Sequence, residues 1–369
     1  MKEKKNILIC PLEWGLGHAA RMIPLAEKLH DLNCNIIFGA GEKHIAFLRG
    51  EMPGLTYINF PGFRPVYSRL LPQYIVLLFE IPVLIYHMIS EHIRLKKIIK
   101  DYSINIVISD NRFGLWNKKI RTVYITHQPR IPFPRLFSFL EFTGAYLHRK
   151  IIRKYTFCYI PDLPGDINLT GRLSHGLKLP ENTRFTGILS RFTGLPSSTD
   201  SLSPDPGQIT VILSGPEPQR GILEKKLTDI LKKRDHPVVI LGGKPGKQTG
   251  MTSDGNITHY DFLHRQAMKE VISGSGTIIS RSGYTTIMEL ISLGRSAILI
   301  PTPGQTEQEY LSHYLAGKGW FSAIPQKKLN DTVSFLPQKS GWNDEIVIQS
   351  GILLDKALKE LSEEAEAEA

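Results

Sequence analysis

The sequence predicts an α/β protein made of two doubly wound halves, each a parallel sheet flanked by helices. Three observations predict it. Short apolar runs of strand length recur around Ile7, Ile36, Ile106, Val123, Ile209, Val238, Ile278 and Ile298, alternating with helical patterns, and that alternation implies parallel sheets. A Pro/Ser-rich stretch with little to bury, Leu195 to Gly207, separates the first four runs from the last four. A chain of 369 residues that is 41% hydrophobic has material for two sizeable cores. The expected division is a first domain over 1–194, a linker over 195–207, a second domain over 208–342, and a helical tail over 343–369.

In the first half, Asn6 to Pro11 is a strand followed by the turn Glu13-Trp14-Gly15-Leu16-Gly17-His18-Ala19-Ala20-Arg21 and an amphipathic helix through Leu32. A dinucleotide fingerprint would need a third glycine here and an acidic residue closing a strand near Phe38, and both are missing. The run Leu70 to Ile89 is long and apolar but holds Glu80, His87 and two prolines, which argues against a membrane span. It reads as a pair of core helices or as an apolar groove or interfacial helix. The buried strand Ile104 to Ser109 ends at Asp110, which has three readings: orienting a neighbouring base, acting as the base, or capping the next helix. His127 closes the strand Thr122 to Thr126, where the end of a parallel strand points toward a cleft.

In the second half, the strand Ile209 to Leu213 leads into Ser214-Gly215-Pro216-Glu217-Pro218-Gln219-Arg220-Gly221 and a helix. Tyr260-Asp261-Phe262-Leu263-His264 comes next. The segment Ser280-Arg281-Ser282-Gly283-Tyr284-Thr285-Thr286 then closes an apolar strand and opens a helix bearing Glu289. Gly283 is expected to turn the chain sharply and let an oxyanion reach the amides and positive dipole end of that helix. Thr285 and Thr286 add hydroxyls, and Glu289 stands one to two turns on, where a carboxylate can accept from ribose hydroxyls. A nucleotide fits this better than free phosphate. The strand Ala297 to Pro301 ends in Gly304-Gln305-Thr306-Glu307-Gln308-Glu309, a loop suited to hydroxyl-rich ligands. Beyond Trp342 the pattern is a helix, amphipathic through Leu361, with an acidic end.

These motifs resemble the GT-B glycosyltransferases, in particular the family 28-like group that contains the lipid-linked N-acetylglucosaminyltransferase of peptidoglycan synthesis and the monogalactosyldiacylglycerol synthases. The resemblance implies two Rossmann-like domains facing a cleft, with the final helix returning to the first. It implies phosphate binding at Ser282 and Gly283, ribose binding at Glu289, sugar contacts from Gln305, Gln308 and Glu309, and uracil held at Phe262 or Leu263. Gly15, Gly17 and His127 fall on the acceptor side, and His18 matches the family histidine in a Gly-x-Gly-His turn. His18 is therefore the first choice for the base that takes the acceptor proton, with Asp110 second. The family loop equivalent to Ser214–Gly221 offers amides to the diphosphate. Two prolines remove donors here, so Gly215 with Arg220 or Arg281 is expected to serve instead. Glu309 stands where the family often has glutamine.

The implied reaction is transfer of a hexose or N-acetylhexosamine from a UDP-sugar to a lipid-linked or other glycan acceptor, with inversion. No cofactor beyond the donor is expected. No Asp-x-Asp occurs, so no metal clamp is expected either. A UDP-sugar 2-epimerase and a non-catalytic nucleotide-sugar sensor are the alternatives. The net charge of +10 is concentrated between Arg112 and Lys154, interleaved with aromatic residues. An anionic lipid surface accounts for this better than nucleic acid, for which no motif is present. Cys10, Cys34 and Cys158 are odd in number and widely spaced, which points to a reducing compartment. With no signal-like start, the expected location is the cytoplasm, peripheral on the inner face of the membrane.

Overall fold

The computed structural model describes residues 4–65, 73–134, 137–196, 205–244 and 250–363, and all eight expected runs are strands in it. The first domain contains β1 (Asn6–Cys10), β2 (Asn35–Ala40), β3 (Thr56–Asn59), β4 (Ile106–Asp110), β5 (Arg121–Ile125), β6 (Phe157–Ile160) and β7 (Thr183–Phe185). They form one sheet in the order β3-β2-β1-β4-β5-β6-β7, with every pairing parallel. The direction of winding reverses between β1 and β4, so a ligand crevice belongs beyond the C-terminal ends of those strands. Alternate side chains of β1 serve opposite layers. Ile7 and Ile9 pack with Ala19 and Ile23 of α1 (Leu16–Asp31), while Leu8 and Cys10 pack with Leu95 of α3 (Gln73–Asp101).

The second domain contains β8 (Asp205–Ile212), β9 (Val238–Leu241), β10 (Met251–Asp254), β11 (Ile257–Tyr260), β12 (Ser275–Ser280), β13 (Ile298–Leu299) and β14 (Ser322–Ala323). Their order is β10-β11-β9-β8-β12-β13-β14, antiparallel only in the β10–β11 hairpin. Ile278 packs toward α7 (Tyr284–Ser292), and Ile209 and Val211 toward α5 (Gln219–Leu231). The inner layers of the two domains merge. Ile9 and Ile23 belong to the same continuous apolar cluster as Ile278 and Ile287.

Two expectations change. The linker was expected to run through Gly207, but Asp205 already pairs with Ser275 in β8, and the ladder shifts register before Thr277, beside the proline that has no N–H to donate. The remaining linker residues 197–204 lie outside the described residues, as do 66–72 of the apolar run. From Gln73 that run is one helix of 29 residues with Pro82 inside it, not a helix pair. Among the described residues, no helix is long and apolar enough to cross a membrane.

The final helix α9 (Glu345–Glu363) returns to the first domain. Tyr159 Oη donates to Ala357 O at 2.8 Å, Lys5 Nζ to Ser362 O at 3.1 Å, and Arg184 Nε to Glu360 at 2.8 Å. The acidic end from 364 onward lies outside the described residues.

Candidate functional site

The turn between β1 and α1 is held from below by a buried carboxylate. Glu13 accepts from Gly41 N at 2.6 Å and pairs with Arg64, and His44 Nε2 lies 3.0 Å from Gly15 O. Gly15 has φ +82°, a left-handed conformation that a side chain would strain, and it places the first turn of α1 at the mouth of the cleft. No side chain caps that helix head, so its amides face outward.

His18 stands in this first turn, 15% exposed, with Nδ1 2.9 Å from Asp110 Oδ2. Arg21, one turn along the same helix, donates from Nε to Asp110 Oδ2 at 2.9 Å and from Nη2 to Oδ1. Its Nη2 also lies 2.9 Å from His18 Nδ1, and its Nη1 lies 3.2 Å from His127 Nδ1. Burial alone would raise the Asp110 carboxyl, but the charge of Arg21 and the hydrogen bonds from His18 and Arg21 outweigh it and hold the group at about 2. Asp110 is fully buried and ionised, and its carboxylate is held by His18 and Arg21. Burial pushes His18 below its ordinary range, with Arg21 reinforcing and Asp110 opposing. The imidazole is uncharged at neutral pH.

The second domain presents a matching helix head. Gly283 precedes α7, whose first turn also carries no side-chain cap. The expected sharp turn at Gly283 is absent. Its φ of −71° suits any residue, and an added Cβ would stand 3.9 Å from Ser214 Oγ and 4.0 Å from Thr286 Oγ1, ordinary contact distances, so neither backbone nor packing requires glycine here. Gly215, at φ +90° with nothing within 4 Å, is the residue in this loop whose backbone requires glycine. Glu289 is buried, and burial raises its carboxyl while Arg191 offsets part of the rise. Arg191 Nε approaches Oε1 to 2.8 Å, yet that oxygen has no hydrogen bond among the described residues.

The two heads meet. Thr285 Oγ1 donates to Gly17 O at 3.1 Å, and Tyr284 Oη donates to Pro161 O. His127 stacks on Tyr284 with centroids 4.3 Å apart, and its Nε2 lies 2.8 Å from Oε1 of Glu307, in the first turn of α8 (Thr306–Gly317). Phe47 meets Phe262 edge-on at 6.0 Å, which leaves Phe262 and Leu263 partly buried against the shared core. The domains are thus closed on one another.

Several of the expected site residues have partners within the protein. Arg281 is 1% exposed and donates to Ile300 O, Pro301 O and Gln219 O, and burial lowers it to about 10. It braces strand ends through carbonyl oxygens, and among the described residues its Nε has no hydrogen-bond partner. Arg220 is likewise committed, to Glu217, Glu224 and Gly242 O. His127, expected on the acceptor side, bridges the two domains. Gln308 Oε1 accepts from Thr302 N at 2.9 Å, which leaves its amide nitrogen for a ligand, and Glu309 Oε1 accepts from Gly304 N at 3.0 Å. Ser282 Oγ donates to Gln308 O at 2.9 Å, tying the phosphate-side turn to that loop, and Gln305 is the N-cap residue of α8. Arg21, Arg191 and Glu307 were not picked out from the sequence. For Arg21 the signal was its position three residues after His18 on one helix face.

A second surface lies on α3 and on α4 (Phe139–Ile152). Phe79 is 78% exposed and Phe142 80%, with Ile81, Ile85, Tyr86, Ile89, Tyr146 and Leu147 also exposed. Lys118, Lys119, Lys150, Arg153 and Lys154 are exposed in the same region of the chain. Arg112, counted in that basic stretch from sequence, is buried: it pairs with Glu91 at 3.2 Å and donates to Gly39 O and Phe60 O.

Residues 222–336 match the family model of the glycosyltransferase family 28 C-terminal domain. The UDP-N-acetylglucosamine–N-acetylmuramyl-(pentapeptide) pyrophosphoryl-undecaprenol N-acetylglucosamine transferase of Desulforudis audaxviator is 28% identical over 156 residues, 38% of this chain and 41% of that one. Its Bacillus subtilis namesake is 30% identical over 131 residues, 33% of this chain and 35% of that one. The chain thus spans less than half the length of these curated relatives. The glycosyltransferase SnogD from Streptomyces nogalater superposes with a TM-score of 0.61 at 15% identity, covering 96% of both chains. MurG of Acinetobacter baumannii superposes at 0.50 and 13% identity, covering 100% of this chain and 96% of that one. The fold is that of the GT-B glycosyltransferases, two Rossmann-like domains closed over a shared cleft.

Proposed function

We propose that this GT-B chain, with a family 28 C-terminal domain, is a glycosyltransferase that moves a hexose or N-acetylhexosamine from a UDP-sugar to a hydroxyl of a lipid-linked acceptor. The observation that carries this reading is the facing of two uncapped helix heads, one bearing an uncharged His18 and the other Ser282, Gly283 and Thr286. The diphosphate lies on the amides and dipole of α7, with the hydroxyls of Ser214 and Thr286 beside it and no divalent metal required. The buried Glu289 carboxylate, paired with Arg191 at 2.8 Å, keeps lone pairs that can accept from ribose hydroxyls. Gln305, Gln308 and Glu309 border the sugar. His18 takes the acceptor proton at Nε2 as the oxygen attacks the anomeric carbon from the face opposite the diphosphate, which inverts that centre. The Thr285–Gly17 contact opens to admit the donor and closes behind it.

The acceptor is delivered from a bilayer. The exposed aromatic and aliphatic side chains of α3 and α4, with lysines and arginines near them, suit an anionic lipid surface at the inner face of the cytoplasmic membrane. Calorimetry with UDP, GDP, CMP and dTDP tests the donor half. Selective UDP binding that Glu289→Ala abolishes is the expected result, and absence of nucleotide binding would sink the transferase reading.

A further inference from the structure

Arg21 makes more contacts in the site than any residue the reaction uses directly. It is 1% exposed, and its guanidinium reaches both oxygens of Asp110, His18 Nδ1 at 2.9 Å and His127 Nδ1 at 3.2 Å. An arginine only donates, so His127 Nδ1 must accept, and the His127 proton sits on Nε2 and is donated to Glu307 Oε1. At His18 Nδ1 two neighbours compete: Asp110 Oδ2 takes a proton and Arg21 Nη2 offers one. Nη2 gives one of its two hydrogens to Asp110 Oδ1; Asp110 Oδ2 is an ionised oxygen that can only accept, and a full negative charge 2.9 Å from a bare nitrogen lone pair would repel it, so the proton belongs on Nδ1. Nε2 is then left open.

We infer that Arg21 is a positioning residue that neutralises Asp110 beside His18, so that the imidazole stays uncharged with Nε2 free, and fixes His127 in the opposite tautomer against Glu307. The inference rests on the proposed role of His18 as base. The groups facing His18 are Asp110 at the end of β4, Arg21 on its own helix, His127 beyond β5 and Glu307 on α8. Without the guanidinium, two carboxylates would surround the ring and hold a proton on it, and an imidazolium cannot take another.

The test is nitrogen and carbon NMR of the histidine rings in the full chain, comparing the parent with Arg21→Lys and Arg21→Gln, alongside kcat/KM against pH and UDP calorimetry. The parent should show His18 protonated at Nδ1 and uncharged at pH 7. In Arg21→Gln the His18 titration should rise by about one to three units, the acid limb of kcat/KM should rise with it, and Arg21→Lys should restore most of the shift. An unmoved His18 titration in folded Arg21→Gln, or an Nε2–H tautomer in the parent, would overturn the inference. If Arg21→Gln does not fold, the pair Arg21→Met with Asp110→Asn removes both charges. His18 should then stay uncharged but lose its Nδ1–H preference, and retention of that preference would overturn the assignment. Failure of UDP to bind the parent would count against the transfer reading alone and leave the tautomer result standing.

Discussion

Asp110 has no exposure, so its effect on chemistry passes through the ring it holds. An asparagine there presents an amide N–H where a carboxylate oxygen stood, which favours a proton on His18 Nε2 and removes the base. The expected outcome for Asp110→Asn is a fall in kcat of about 10²–10⁴ across the whole pH range, with UDP binding retained; His18→Ala should fall as far. Steady-state kinetics beside calorimetry checks both, and normal turnover in His18→Ala with UDP bound would remove the base assignment. His18 was legible because it sits in a short Gly-x-Gly-His turn. Arg21 was not, because its partners lie 89 and 106 residues away, and only the folded sheet brings β4 and β5 beside α1. The partners of Arg281 and Arg220 were illegible for the same reason: the carbonyls and carboxylates that meet a cation beside a glycine-rich turn are known only once the chain is folded.

At the scale of elements, the strands were legible wherever β-branched residues ran together, and the short β6, β7, β13 and β14 show the limit of that signal. β13 could be read because Ala297 to Pro301 continues the apolar run, but β14 is two residues whose pairing is set by its neighbour. The long apolar run before Ile89 could not be assigned from sequence, because a buried helix and a lipid-facing one share the same composition. Leu95, in the second half of α3, is buried against the sheet, while Phe79 and Tyr86 in the first half have no cover. Replacing Phe79 and Phe142 by glutamate should reduce co-sedimentation with vesicles containing anionic phospholipid by tenfold or more, since each exposed aromatic that enters a bilayer contributes about 1–2 kcal/mol. Thermal midpoint and UDP affinity should not change. Vesicle binding equal to the parent would exclude these helices as the docking surface.

At the scale of the whole molecule, the buried imidazoles set a pH limit on stability. His148 is held between Tyr124 Oη at 2.8 Å and Pro129 O at 3.2 Å, and burial lowers it to about 4; His18 and His44 are lowered as well. In the unfolded chain each takes up its proton near pH 6.5. The folded values lie below the unfolded ones, so this stability is fully present above pH 6.5 and is lost as pH falls toward 4. His148 alone accounts for about 3 kcal/mol of that loss at most. Urea midpoints should therefore drop steeply from pH 6.5 to pH 4.5, and a flat profile would show that these rings are not held neutral. The chain leaves the first sheet after β7 and comes back as α9, and the two passages are joined where Ile188 N donates to Ser350 Oγ at 2.9 Å. The second sheet is therefore a cassette spliced into the first unit through a single doubled seam. Exchanging the span between those passages would leave both pieces of the first unit in contact but would also replace Ile278 and Ile287 of the shared apolar cluster, so an incoming sheet must bring side chains that fit Ile9 and Ile23.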